Sequence, residues 1–178
     1  MLLSVATAVA ISGCAAPQYI EPAGNSIASI EFIDEASERT MSIYFHGDSK
    51  ECTDRTTAGL VQPKSQRKLA IPAGQDLVFT VGLNASIGKS LAILATGGAI
   101  GGLIAASTYK GCLPTIDFVP EVGGIYVFRM NLDGKDCSYQ FFAKPSANQQ
   151  SDKALPVAFT TREWIRAFGE AGPFCKKK

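Results

Sequence analysis

The stretch C112-LPTIDFVPEVGGIYVFRMNLDGKDCSYQF-F142 decides the fold class. Within it Tyr126, Phe128, Met130 and Leu132 fall on one face of an extended chain. Asp133-Gly134 then supplies a hairpin turn. Cys137, Tyr139 and Phe141 line the matching face of the returning strand. Ile116 and Phe118 share a face ahead of the turn Pro120–Gly124. Read together, these segments predict a three-stranded antiparallel meander.

Working outward, Leu77, Phe79, Val81 and Leu83 alternate with Val78, Thr80 and Gly82, as a half-buried strand does. Pro72-Ala73-Gly74 is a turn, and Lys68–Ile71 leads into it. Ala28, Ile30 and Phe32 alternate with Ser29 and Glu31, and Met41–Phe45 is a further strand-like run. Gly47–Ser65 reads as polar and turn-rich, and Leu155–Phe159 as a last strand. Thr160 and Glu163 fit a capping box, and Trp164 and Phe168 sit four apart, so a short C-terminal helix ending at Gly169 is predicted. The expected class is mainly β, an antiparallel β-sandwich or small barrel.

One segment breaks the pattern. Between Lys89 and Lys110 lie twenty uncharged residues, SLAILATGGAIGGLIAASTY. Leu91, Ile93, Leu94, Leu103 and Ile104 flank the pairs Gly97-Gly98 and Gly101-Gly102. Glycines cost about 1 kcal/mol each in a helix interior, so a helix here needs a partner surface. The preferred reading is a helical insertion, residues 90–108, packed on the domain. Membrane contact or an oligomer interface is the second reading, since small residues four apart serve helix association in bilayers. A loose loop is the third.

The N-terminus sets the address. Met1–Ile11 is apolar and uncharged, and Ile11-Ser12-Gly13-Cys14 follows it. This resembles the lipobox of bacterial lipoproteins. The resemblance covers residues 1–17 and implies removal of residues 1–13, acylation of Cys14 and anchoring to a membrane. Ala15 in place of Asp implies the outer membrane of a Gram-negative cell. The n-region of a signal peptide carries Lys or Arg, so a translation start upstream of Met1 is expected. Residues 14–25, rich in Pro, Ala and Gly, read as a tether. The domain is then residues 26–175, with a basic tail at 176–178.

Setting Cys14 apart leaves Cys52, Cys112, Cys137 and Cys175, an even number in an exported chain. Four cysteines allow three pairings. Cys112–Cys137 with Cys52–Cys175 is preferred: the first closes a local loop and the second ties down the C-terminus. The stretch 112–142 also loosely resembles small proteobacterial β-sandwich lipoproteins of unknown role, in its two cysteines, Phe118-Val119-Pro120 and Gly124-Ile125-Tyr126. That resemblance carries no active site.

Chemistry is sparse. Seventeen basic and sixteen acidic residues give a net charge of +1, which does not favour nucleic acid. Gly88-Lys89-Ser90 resembles the end of a phosphate loop, but Leu83 stands where the first glycine belongs. His46, the lone histidine, is expected at an exposed strand end, with no G-x-S-x-G nucleophile to serve. Glu31, Asp34, Glu35 and Glu38 read as a solvated acidic face. No metal or cofactor is expected beyond the lipid on Cys14. The function expected is non-enzymatic: an accessory subunit binding another envelope protein, with homo-oligomerisation open. The alternatives are a membrane-inserting component acting through residues 90–108 and an inhibitor of a cell-wall-degrading enzyme.

Overall fold

The computed structural model describes residues 17–36, 38–85, 112–133, 136–145, 154–165 and 172–176. Among these, β1 (Ile27–Asp34), β2 (Arg39–His46), β3 (Arg55–Val61), β4 (Gln66–Pro72), β5 (Leu77–Ala85) and β6 (Thr115–Phe118) come first. Then follow β7 (Ile125–Asp133), β8 (Asp136–Lys144), β9 (Leu155–Pro156), β10 (Thr160–Trp164) and β11 (Cys175–Lys176). They form two sheets, ordered β4-β1-β7-β8-β9 and β11-β10-β6-β5-β2-β3. The mainly β, two-layer expectation holds.

Alternation places the core. Ile30 and Phe32 of β1, Phe128 and Met130 of β7, and Phe141 of β8 face inward from the five-stranded sheet. Met41, Ile43, Phe79, Val81, Ile116 and Phe118 face them from the six-stranded sheet. Phe79 is fully buried, and its ring meets Phe32, Phe128 and Phe141 edge-on with centroids at 5.4, 5.5 and 5.8 Å. Edge-to-face contact suits the ring quadrupoles and adds to the burial of apolar area.

Three expectations need correction. The hairpin at Asp133 is real, pairing β7 with β8 from Ile125↔Lys144 to Asp133↔Asp136. The third member of the predicted meander is not: Thr115–Phe118 pairs with β5 and β10 in the opposite sheet. The six residues Val119–Gly124 therefore cross between layers. Nor is the sandwich wholly antiparallel, because β1 and β7 run parallel from Ser29↔Ile125 to Asp34↔Met130. Thr160–Trp164 is a strand rather than a helix start, with Thr161 opposite Ile116 and Arg162 opposite Thr115. β6 offers an open edge there, and a local capping match does not compete with a sheet edge. The remainder of the predicted helix, residues 166–171, lies outside the described residues, as do 1–16 and the insertion 90–108. The polar stretch 47–65 holds β3.

Residues 17–21 do not form a free tether. Thr57 N–H donates to the Pro17 carbonyl at 2.8 Å, and Tyr19 N–H to that of Thr57 at 2.9 Å. The Tyr19 ring packs on Phe45 at 4.4 Å, and its hydroxyl donates to the Ala70 carbonyl at 2.9 Å. Glu21 accepts from Ala70 N–H at 2.7 Å. Since β3 and β4 are the outer strands of opposite sheets, this strap closes the open side of the sandwich.

Phe79→Ala would leave a void bounded by rings of both sheets. It is expected to cost about 3–5 kcal/mol, a large fraction of a domain's stability. Urea unfolding monitored at Trp164 measures it, and Val119→Ala on the exposed crossover should change little.

Candidate functional site

The outer face of the six-stranded sheet carries a buried polar row. Register sets it: His46 of β2 lies opposite Val78, Thr80 of β5 opposite Thr115, and Thr115 of β6 opposite Arg162. His46 Nε2 and Thr80 Oγ1 share a hydrogen bond of 2.9 Å, and Thr80 Oγ1 and Thr115 Oγ1 another of 2.9 Å. Arg162 pairs with Asp117 through Nη2, donates from Nε to the same oxygen at 3.1 Å, and reaches the Lys50 carbonyl at 3.1 Å. The sequence reading missed Arg162, because TTREW satisfies both a helix cap and the period-2 alternation of Thr160, Arg162 and Trp164.

A lid built from two distant segments seals this row. The Asp48 carboxylate accepts from the N–H groups of Lys50 and Glu51, which hold it below the usual carboxylate range. The loop so shaped presents the Glu51 carbonyl to the N–H groups of Phe174 and Cys175 at 3.0 and 3.3 Å. Cys52 and Cys175 close the lid as a disulfide with Cα atoms 5.5 Å apart, inside the normal range. Phe174 stacks on Trp164 at 5.3 Å, and the Arg55 guanidinium lies 4.4 Å from the Phe174 ring centre.

His46 is therefore not an exposed strand-end residue. It is 6% exposed. Burial lowers its pKa to about 4, with a small further push from the Arg55 charge, against the opposing Cys52 carbonyl. A neutral imidazole beside a buried hydroxyl could in principle serve acid–base chemistry, but Phe174 covers it and Thr80 is fully buried. Through His46, Thr80 and Thr115 the row ties β2, β5 and β6 together.

Asp34 also departs from expectation. It sits at the end of the inward alternation Ala28, Ile30, Phe32, and only 1% of it is exposed. Ala36 N–H donates to Oδ1 at 2.9 Å. Burial outweighs the backbone donors of Ala36 and Met41 and raises the pKa to about 6. Glu35 and Glu38 are exposed, and Glu31 pairs with Lys144 at 2.6 Å. Two open grooves lie nearby. One of about 440 Å³ lies along Asp34, Glu35 and Lys64–Gln66; the other, of about 460 Å³, runs between Glu21, Ser29, Lys68 and Gly124.

Both preferred disulfides are present. Cys112–Cys137, with Cα atoms 5.9 Å apart, joins the lead into β6 to β8 and so bridges the two sheets rather than closing a local loop. Cys14 and the segment Leu91–Ile104 lie outside the described residues. The flanks of that segment are informative, since β5 and β6 are antiparallel neighbours. The chain leaving at Ala85 returns by Cys112 to the same end of the same sheet. One membrane crossing between these flanks would separate paired strands. Among the described residues no group of three His, Cys, Asp or Glu could hold a metal ion.

The two buried titrating groups pull in opposite directions with pH. His46 has a folded pKa below its unfolded value, so its contribution is lost as pH falls from about 6.5 towards 4. Asp34 has a folded pKa above its unfolded value, so its destabilising effect grows as pH rises from about 4 to 6. Between pH 7 and 5, His46→Gln is expected to lose about 2 kcal/mol less stability than wild type. Asp34→Asn is expected to lose about 1 kcal/mol more. Urea midpoints at the two pH values measure both. Replacing Cys52 and Cys175 by Ser should release the lid and move the His46 pKa up towards 6.5, read by NMR titration.

No family model matches this chain, and no curated protein matches it.

Proposed function

We propose that this protein is a bacterial outer-membrane lipoprotein, acylated at Cys14, with a non-catalytic binding or structural role in a cell-envelope assembly. The observation that carries the reading is the pair of disulfides joining all four cysteines outside the lipobox. Such stapling suits an oxidising compartment, and Met1–Cys14 reads as an export and lipidation signal. The non-catalytic role is supported by the sole histidine being locked under Phe174 in a hydrogen-bonded row.

A second reading gives residues 90–108 the work of self-association or membrane insertion. The placement of both flanks at one end of the sheet favours a projecting element over a single span. The segment would then meet a partner, a second copy of this chain included.

Metabolic labelling with palmitate tests the anchor. Wild type should take up label and sediment with membranes, and Cys14→Ala should do neither. An unlabelled wild type overturns the lipoprotein reading. Crosslinking in detergent-solubilised envelope should recover one stoichiometric partner, and deletion of Leu91–Ala106 should abolish its recovery if that segment makes the contact.

A further inference from the structure

We infer that the protein lies on its membrane edgewise, on the side formed by β3, β4 and the strap at residues 17–21, with Ile20 entering the lipid interface. The inference rests on the lipid-anchor reading and adds an orientation to it.

The first argument is reach. Pro17 is fixed to β3 through Thr57, so only Ala15 and Ala16 separate the docked backbone from Cys14. Three Cα steps span at most about 11 Å, less than the width of one small domain. An acylated Cys14 thus holds the β3 edge against the headgroups, with no length of free chain to let the domain tumble away.

The second argument is chemical. Ile20 is 86% exposed on the strap and Leu60 46% exposed on β3. On the turn and strand that continue this edge Lys64, Arg67 and Lys68 are exposed, Lys64 beside Glu35 and Lys68 opposite Glu31. Arg67 reaches from β4 across the seam to Gly59, where a Cβ would lie 2.5 Å from its Nη1. Gly59 has a φ of +112°, so this backbone both favours glycine and makes room for the guanidinium. The nearby Glu21 carboxylate is held by Ala70 N–H. Exposed aliphatic side chains on an edge that also carries basic ones suit an anionic lipid surface.

The other surface near Pro17 is the loop end where β2, β4 and β6 finish. It bears Val119 and Val122, 53% and 64% exposed. It also bears Asp48, Glu51, Asp54, Asp76 and Glu121 against Lys50 and Arg55, an acidic excess that anionic headgroups would repel. Edgewise docking has a further consequence. It covers β3, whose outer edge would otherwise be open to pairing with another chain beyond the single bridge at Gln18. It also leaves the root of the apolar insertion, at the opposite end of β5, clear of the anchor.

Depth-dependent quenching tests the orientation. The full lipidated chain, carrying Ile20→Trp, Leu60→Trp or Val122→Trp, is reconstituted in vesicles of phosphatidylethanolamine and phosphatidylglycerol with brominated acyl chains. Trp164, the sole native tryptophan, serves as internal reference. The emission added at positions 20 and 60 should fall about twofold or more, while that at 122 and 164 holds. Lys64→Glu with Lys68→Glu should relieve the quenching at position 20. Quenching at 122 in preference to 20 and 60, or equal at all three, overturns the orientation while palmitate on Cys14 keeps the anchor intact. Absence of palmitate overturns the anchor and the orientation with it. Non-reducing gels and circular dichroism confirm that each variant keeps its disulfides and fold.

Discussion

The contact between the two sheets at Phe79 is the constraint on which the rest depends. One ring from β5 meets Phe32, Phe128 and Phe141, and so ties β1, β7 and β8 to the opposite layer. Interiors pack at crystal-like density, so this cluster fixes the spacing and relative rotation of the sheets. Every other closure device acts at the periphery of that arrangement. Tyr19 fills the seam beside Phe45, Cys112–Cys137 clips the layers together near the insertion, and Cys52–Cys175 holds the lid over the outer face.

These devices share a logic. A sandwich of short strands has open sides and one solvated face per sheet, and each is a place where backbone groups or apolar surface stay uncovered. Here one open side is strapped by the N-terminal segment, and part of one outer face is roofed by the C-terminal segment. Residues 17–21 and 172–176 are thus both used in finishing the domain. The cost of roofing is visible in His46, which is kept neutral, and in Arg162, which needs Asp117 and the Lys50 carbonyl to be buried at all.

His46 and Asp34 show where sequence reading stops. Asp34 was legible: the inward alternation of Ala28, Ile30 and Phe32 points to it next, and only its charge argued for exposure. His46 was not. Alternation puts it on the outer face, and its burial comes from Phe174, 128 positions along the chain and delivered by a disulfide of sequence separation 123. Period 2 tells which side a residue faces and says nothing about what later covers that side. The strand at Thr160–Trp164 illustrates the same limit, since its five residues fit helix and strand equally until β6 supplies a hydrogen-bonding edge.

The sequence by itself determined the mainly β class, the inward-facing residues of β1, β5, β7 and β8, the Asp133-Gly134 hairpin and an even set of four cysteines beyond Cys14. All of these follow from period-2 alternation, turn chemistry and residue counts, which are local or additive properties. Only the tertiary structure decided that β6 leaves the meander for the other sheet, that β1 runs parallel to β7, and that residues 17–21 are a strap and not a tether. Those choices depend on which edges and seams remain open once the sheets have packed, and the chain carries no local record of an edge it has yet to meet.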